Sequence, residues 1–391
     1  MIRYSRRTLL VAALVASTAP AAAQTPAGEP FKIGVILPMS GPFASTGRQI
    51  EAAIRLYVAE KGATVAGRKI EILLRDDTGS ADVAKRIAQE MVVNEKVGAL
   101  AGMGLTPIAF AVAPIATQAR VPLVVMAAAT SSIIKSSPYV LRTSYTTPQA
   151  AYPIAQWAAK AGAKRPVTIV TDYGPGVDSE TAFKASFEKT GGKVLASLRV
   201  PLMNPDFSPF LQRVGDEGAD VVFAFMPSGA GALFMKQFAD RGLAGKGVRL
   251  IVEGGVTDDD ILNQMGDAAI GVISGYHYST AHDSPANKAF VEGFKKANPK
   301  LRPNFMAVAG WDGMEALYRG LEKTGGKGDG PQIVEAVKGM SWESPRGPIS
   351  IDPKTREIVQ NMYMRKVERG PDGELYNVEF ETVSAVSDPS Q

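Results

Sequence analysis

Short apolar runs alternate with amphipathic helical segments along this chain, and the alternation occurs twice. The first series begins with the apolar stretch 31–37 and continues into a segment with Ile50, Ile54 and Tyr57 at helical spacing. After about residue 143 the pattern starts again, with a predicted helix over 148–161. Repeated βα units of this length form parallel sheets that are covered by helices on both faces. The sequence therefore predicts an α/β protein with two similar lobes.

Composition excludes several kinds of chemistry. The 391 residues fit two domains of ordinary size, and the chain has no cysteine and only two histidines. Thiol catalysis, disulfides and thiolate zinc sites are thereby excluded. His277 and His282 lack the further ligands that a metal site needs, so we interpret them as loop or interdomain residues. The usual catalytic motifs, such as G-x-S-x-G and H-E-x-x-H, are missing. We expect neither enzyme activity nor a cofactor or metal.

The N-terminus has the organisation of a secretory signal peptide. Three arginines precede the apolar stretch 9–16, and Ala21-Ala22-Ala23 forms an A-x-A cleavage site before Gln24. The apolar stretch is too short to span a membrane, which argues against an anchor. We expect residues 1–23 to be removed after Ala23, which leaves a periplasmic protein. Without those arginines the net charge falls from +4 to +1, so no nucleic-acid partner is expected.

Hydroxyl-bearing residues follow several of the predicted strands. Thr106-Pro107 has the order of a helix N-cap and first helical residue, and the amides at such a helix end suit a small carboxylate. The alternative is that Thr106 only caps its helix. The small-residue loop 127–132 follows the next strand, and the loops 172–176 and 253–255 hold equivalent places in the second half. Open α/β sheets bind ligands at these strand ends, so the four loops could converge on one cleft.

Several short motifs, taken in order, resemble a known family. They are Gly34–Pro42, Pro122–Thr130, Leu141–Thr143, Val170–Gly174, Asp206–Ser208 and Trp311–Met314. Together they are similar to the periplasmic leucine/isoleucine/valine-binding proteins, which are the substrate-binding components of branched-chain amino acid ABC transporters. The resemblance covers roughly residues 31 to 370. Each motif is weak alone, and the resemblance depends on their order and spacing.

The resemblance implies the fold of a type I periplasmic binding protein. In that fold two Rossmann-like lobes with parallel sheets are joined by a three-crossover hinge. The crossovers would fall near 142–145, 274–278 and 352–357. Lobe 1 would then comprise residues 28–144 plus 277–352, and lobe 2 residues 145–276 plus 353–385.

The resemblance also implies a carboxylate-binding end of the site. The hydroxyl groups that hold the ligand carboxylate in the family match Thr106 and Thr130. Backbone from Ala128 would complete this end.

The other implied site residues depart from the family pattern. The aromatic residue that covers the ligand from the first lobe falls on Thr46, which would leave that wall smaller or differently shaped. Tyr173 matches the second-lobe tyrosine after a small shift in the loop. The acid that holds a ligand ammonium should lie near Glu253, but a glycine is inserted beside it. Residues 257–260 could supply an acidic wall instead, although a helix N-cap followed by first-turn acids explains them better.

The resemblance implies a monomeric binding protein that captures a small carboxylate and delivers it to an ABC permease. If Glu253 points into the cleft, the ligand would be a branched-chain or related amino acid, because a buried ammonium needs an anionic partner. If Glu253 is turned away, the cleft would suit an amine-free aromatic or short aliphatic carboxylate. A function of another class, an exported ligand-sensing subunit for a receptor, also fits.

Overall fold

The computed structural model describes residues 28–227 and 229–391, so the predicted signal peptide lies outside the described residues. The strands are β1 (Gly28–Leu37), β2 (Thr64–Val65), β3 (Arg68–Asp76), β4 (Ala99–Gly102), β5 (Leu123–Val125), β6 (Val140–Arg142), β7 (Pro166–Thr171), β8 (Ala196–Val200), β9 (Val221–Phe225), β10 (Arg249–Glu253), β11 (Ile273–Tyr276), β12 (Ser341–Ser344), β13 (Gly347–Ile351), β14 (Ile358–Arg369) and β15 (Leu375–Val386). The α-helices are α1 (Ala44–Lys61), α2 (Ala81–Val93), α3 (Thr106–Ala119), α4 (Thr147–Lys160), α5 (Gly174–Glu188), α6 (Ser208–Asp216), α7 (Gly231–Asp240), α8 (Pro285–Ala297), α9 (Phe305–Lys323) and α10 (Gly330–Val337).

The first sheet has the order β2-β3-β1-β4-β5-β6 and is parallel except for the short β2. Side chains along β1 point alternately to its two faces. Ile33 and Val35 belong to the core that includes residues of α1 and α9, whereas Ile36 belongs to the core that includes residues of α2 and α3. Because both faces are covered by helices, the strand reads as a continuous apolar run.

The second sheet has the order β12-β13-β14-β11-β10-β9-β7-β8, with β15 paired to β14. Its βα units from β7 to β11 are parallel, and the C-terminal strands add to them in antiparallel fashion. The two sheets confirm the predicted α/β class with parallel-dominated sheets. Pairing of Ser350 with Val359 continues this sheet across residue 352, which is where the sequence placed a lobe boundary.

Three connecting segments lie close to one another. They are the segment from β6 to α4, the segment from β11 to α8, and the segment from β13 to β14. The amide of Arg142 in the first donates to the carbonyl of Arg356 in the third at 3.3 Å. The ring of Tyr145 in the first packs edge-on against Tyr276 at the end of β11, with centroids 4.9 Å apart. The sequence placed its three crossovers at these segments, but the third joins β13 to β14, which are neighbours within the second sheet, so the division into lobes stays a prediction.

Buried arginines hold the crossover segments. Arg346 is fully buried, and its guanidinium pairs with Asp312 of α9 at 2.6 Å. It also donates to the carbonyls of Thr143 and Ser144 at 2.9 and 3.1 Å. A buried charge is costly unless it is paired and hydrogen-bonded. Through the ion pair and these two hydrogen bonds, Arg346 ties the first crossover segment to α9.

We expect Asp312→Ala to lower the free energy of unfolding by about 3–5 kcal/mol, because it leaves the Arg346 charge buried without a partner. Urea unfolding followed by circular dichroism measures the change. The control is Asp240→Ala, which removes an exposed pair with Lys236 and should cost less than about 1 kcal/mol. Equal effects of the two substitutions would contradict the structural role of Arg346.

Candidate functional site

A cavity lies between the two halves, and the space within its lining, counted together with adjoining space that is open to solvent, is about 460 Å³. Its wall combines apolar, aromatic and hydroxyl-bearing residues. They are Phe43, Thr46, Gly104, Leu105, Thr106, Ala127, Ala128, Ala129, Tyr145, Tyr173, Pro175, Phe225, Met226, Pro227, Gly255, Tyr276, Phe305 and Met306.

The cavity lies at the carboxyl ends of strands from both sheets. Loops after β4 and β5 supply Thr106 and Ala128, and loops after β7 and β10 supply Tyr173 and Gly255. The structure thus brings together the four loops that the sequence predicted to converge. Ligands of open α/β sheets bind at this edge because a crevice forms outside the carboxyl ends of the strands, where the strand order reverses.

Thr106 lines one end of the cavity, and Thr130 is its neighbour, buried just outside the lining. Both are buried, and the Thr106 hydroxyl donates to the Thr130 hydroxyl at 3.1 Å. The expectation that Thr106 caps its helix is wrong, because Leu105 has the extended backbone of the N-cap and Thr106 is the first helical residue. The amide of a first helical residue has no acceptor within its helix. Since Thr130 accepts from Thr106, its own proton is free to be donated to a ligand.

Ala128 lines the cavity, but its backbone is already hydrogen-bonded. Its amide donates to the carbonyl of Met103 at 3.0 Å, and its carbonyl accepts from the buried guanidinium of Arg142. The same guanidinium donates to the carbonyl of Thr130 at 2.8 Å and pairs with Glu357 at 2.7 Å. Ala128 therefore contributes a methyl surface and no free donor, contrary to expectation, while Arg142 fixes the loop that carries Thr130.

The first-lobe wall contains Thr46, as the family resemblance implied, and also an aromatic ring. Thr46 is buried in the first turns of α1. Phe43, the residue that precedes α1, lines the same cavity three positions earlier. The wall therefore keeps an aromatic side chain.

Tyr173 closes the cavity from the second half. Its ring lies against that of Phe225, with centroids 6.2 Å apart and the planes 29° from parallel. At the next residue, a Cβ built on Gly174 would lie 2.5 Å from the Thr130 hydroxyl oxygen. The loop from one half therefore contacts the loop from the other, and only glycine permits this approach.

Phe223 and Phe225 both lie on β9, but only Phe225 lines the cavity. The ring of Phe223 stacks on Phe183 in the core at 4.1 Å. Trp311 packs against Tyr57 and neither it nor Tyr152 lines the cavity.

Besides Phe43, three further aromatic residues of the cavity were missed. Tyr145, Tyr276 and Phe305 come from distant segments and pack against one another, with the Tyr145 and Tyr276 centroids both within 6.2 Å of the Phe305 centroid. The two tyrosines lie in segments that the sequence had predicted to be crossovers. Their position at the base of a two-lobed cleft was the signal that could have identified them.

Glu253 ends β10 close to the cavity but does not line it. It is 1% exposed, and its Oε1 accepts a hydrogen bond from Ser179 of α5. Burial raises the pKa of Glu253 well above its ordinary value of 4.5, and the Ser179 hydrogen bond only partly opposes that effect. The carboxyl group is therefore held towards α5, and its burial favours the neutral form.

No charged side chain lines the cavity within the described residues. Two helices, one from each half, begin at its wall: α3 at Thr106 and α5 at Gly174. The N-terminus of a helix carries a partial positive charge and free amide groups. The site can therefore hold an anion without a cationic side chain.

The acidic segment 257–260 does not cap a helix, contrary to expectation. Asp258 accepts from Asn304 at 2.9 Å, and Asp259 accepts from Asn377 at 3.1 Å. Asp260 accepts from the hydroxyl of Ser45, which lies in the first half, at 2.5 Å. The acids thus find tertiary partners in place of helix amides, and none of them lines the cavity.

The histidines occupy the interdomain region. His277 is fully buried and stacks on Tyr145, whereas His282 contacts Glu379 at 2.8 Å. Among residues 28–227 and 229–391, no group of three or more His, Asp or Glu side chains is placed to hold a metal ion.

Comparison with known proteins identifies the fold and the kind of molecule. The sequence profile of the periplasmic binding protein family matches residues 30–373. A Leu/Ile/Val-binding protein homologue of Brucella melitensis is 48% identical over 389 residues, which cover 98% of each chain. The chain belongs to the periplasmic binding protein family. It is a periplasmic solute-binding protein of an ABC transporter.

Two solved structures of the family are closely similar. One is a solute-binding protein of an ABC transporter from Rhodopseudomonas palustris in complex with 3,4-dihydroxybenzoic acid, with 55% identity, a TM-score of 0.90, and coverage of 92% of this chain and 99% of that one. The other, from the same species and in complex with 4-hydroxybenzoate, has 45% identity, a TM-score of 0.89, and coverage of 92% and 98%. The helices in the described ranges include none that is long and apolar enough to cross a membrane.

The burial of Glu253 predicts a specific pH dependence of stability. The folded protein retains a proton on Glu253 at pH values where the unfolded chain has released it. This stabilising contribution is complete below the unfolded-state pKa, near 4.5, and is lost as the pH rises through the raised folded-state pKa. Since Glu253→Gln is neutral at every pH, its melting temperature relative to the native protein should increase as the pH rises above the unfolded-state pKa of Glu253, near 4.5.

The matched control is Glu188→Gln, which alters an exposed carboxylate at the end of α5. Its melting temperature should follow that of the native protein across the same pH range. A parallel course for Glu253→Gln would show that Glu253 is ionised in the folded state.

Proposed function

We propose that this periplasmic binding protein captures an amine-free aromatic monocarboxylate of the benzoate type. The observation that carries the proposal is the uncharged, ring-lined cavity, in which an ammonium group has no anionic partner among the described residues. An unpaired charge in a closed cleft costs several kcal/mol. The carboxylate would lie at Thr106 and Thr130, beside the N-terminus of α3.

Two further observations support this ligand class. Phe43, Tyr173 and Phe225 bring rings to the wall from both halves, which suits a planar ligand. The two similar Rhodopseudomonas palustris proteins are described in complex with hydroxylated benzoic acids.

A branched-chain amino acid is the second candidate. The name of the Brucella melitensis homologue favours it, and Glu253 would be the only acid near the required position. The hydrogen bond from Ser179 to Glu253 and the raised pKa of Glu253 argue against an amino acid ligand. A raised pKa favours the neutral carboxyl group, which is a poor partner for an ammonium.

A thermal-shift panel tests the proposal by pairing acids that differ only in their amine. We expect benzoate and 3-phenylpropionate to raise the melting temperature, and L-leucine and L-phenylalanine to leave it unchanged. Benzamide, which keeps the ring but lacks the negative charge, serves as the control and should have little effect. Stabilisation by L-leucine without stabilisation by 4-methylpentanoate, its analogue without the amine, would establish the amino acid function instead.

The carboxylate position predicts the effect of Thr130→Val. The substitution keeps the shape but removes a hydrogen bond to a charged acceptor, worth about 1.5–3 kcal/mol, so the affinity for benzoate should fall about ten- to a hundredfold. Thr168→Val is the matched control, since Thr168 is also buried and lies on β7 away from the cavity. Calorimetry measures both affinities. An unchanged affinity in Thr130→Val would remove this hydroxyl from the site.

The finer expectations of a monomer and of cleavage after Ala23 stay predictions. Delivery of the ligand to a permease follows from the transporter class of the relatives.

A further inference from the structure

Tyr276 brings a hydroxyl group without a partner to the cavity. It lies at the end of β11, lines the wall and is 1% exposed. Its hydroxyl is near that of Tyr145, but the arrangement does not meet hydrogen-bond geometry, and Tyr276 Oη has no partner in the described part of the chain. A Cβ built on Gly255, another wall residue, would lie 3.7 Å from this oxygen. The hydroxyl therefore faces a part of the wall that has no side chain.

Glu253 lies behind this part of the wall. It pairs across β10 and β11 with Gly275, the residue that precedes Tyr276. Ser179 occupies Oε1, while Oε2 is buried and has no partner in the described ranges. A buried polar group of this kind normally has a hydrogen-bond partner, so two such groups beside one cavity indicate a polar subsite.

The subsite belongs to the half opposite the carboxylate end. Thr106 and Thr130 come from loops after strands of the first sheet, whereas Tyr276 and Gly255 come from the ends of β11 and β10 in the second. A flat ligand whose carboxylate is held by the threonines would direct the far edge of its ring towards the second sheet.

Resting on the proposed function, we propose that Tyr276 hydrogen-bonds a hydroxyl group on the far edge of the ligand ring, with Glu253 as a positioning residue, so that the protein selects hydroxylated benzoates over benzoate. A site built to bind a hydroxyl group rejects the analogue that lacks it, because the buried polar groups are then left unpaired. The preference for hydroxylated acids therefore comes from the unpartnered hydroxyl of Tyr276 in the wall.

Calorimetry with benzoate, 4-hydroxybenzoate, 3,4-dihydroxybenzoate and 4-fluorobenzoate tests the subsite. We expect the native protein to bind at least one hydroxylated acid about tenfold more tightly than benzoate. The fluorinated acid fills similar space without donating a hydrogen bond, so it should bind like benzoate. The preference is measured on the native protein and needs no variant to fold.

Two tyrosine variants then locate the preference. Tyr276→Phe should remove it, so that benzoate and the hydroxylated acids bind this variant with equal affinity. Tyr278→Phe is the matched control, because Tyr278 is also buried with an unpartnered hydroxyl within the described ranges but does not line the cavity. This control should keep the preference.

Glu253 variants separate positioning from charge. Glu253→Gln keeps a neutral polar side chain beside the tyrosines and should preserve the preference for hydroxylated acids. Glu253→Leu removes the polar atoms and should reduce the preference while benzoate still binds.

Equal affinities of the native protein for benzoate and the hydroxylated acids would overturn this inference and leave the proposed function intact. Equal weakening of benzoate and 4-hydroxybenzoate by Tyr276→Phe would also overturn it, because the tyrosine would then support the cavity as a whole. Failure of every acid in the panel to bind would instead refute the proposed function itself.

Discussion

Buried guanidinium groups hold together the segments that connect the two halves, and the binding site depends on them. Where the chain leaves a sheet, no neighbouring strand donates hydrogen bonds to its carbonyl groups. A buried carbonyl group there needs another donor. Arginine supplies five donors in a fixed plane and stays charged, so one side chain can serve several carbonyls. Arg346 serves the first crossover, Arg365 donates to the carbonyl of Tyr278 in the second, and Arg142 reaches the loop that carries Thr130. The hinge and the carboxylate-binding loop thus share one set of hydrogen bonds.

Charge recognition and closure of the two halves are physically linked. The N-termini of α3 and α5 approach the same cavity from opposite sides, and their partial positive charges repel one another. An anion between the two helix ends is attracted to both of them and outweighs their mutual repulsion. Under the proposed function, a carboxylate between these helix ends would stabilise the arrangement in which Gly174 meets Thr130, since a ligand favours the conformation in which it gains contacts. No lysine or arginine on the wall is required for this effect.

Local features of the fold were predictable from sequence, and features that depend on distant partners were not. The sequence pattern predicted a helix over 148–161, and α4 runs from Thr147 to Lys160. The rule that open α/β sheets bind ligands at the carboxyl ends of their strands predicted which loops meet at the cavity, because it depends only on the order of strands and helices. The acids at 257–260 were misread because their local pattern matches a helix cap, whereas tertiary partners such as Asn304 decide their conformation. Tyr276 and Phe305 meet only after the chain has folded, so no spacing in the sequence joins them.

The strand order of the second sheet determines when that sheet can be completed during synthesis. The first sheet uses residues 28–142 only, so every strand of it exists early in translation. In the second sheet, β11 lies between β10 and β14, and β14 begins at Ile358. Until the ribosome has made those last residues, β11 has an open edge, which is a template for pairing with another chain. A nascent or truncated chain is therefore exposed to intermolecular strand addition at this edge, and a chaperone that covers β11 would protect it.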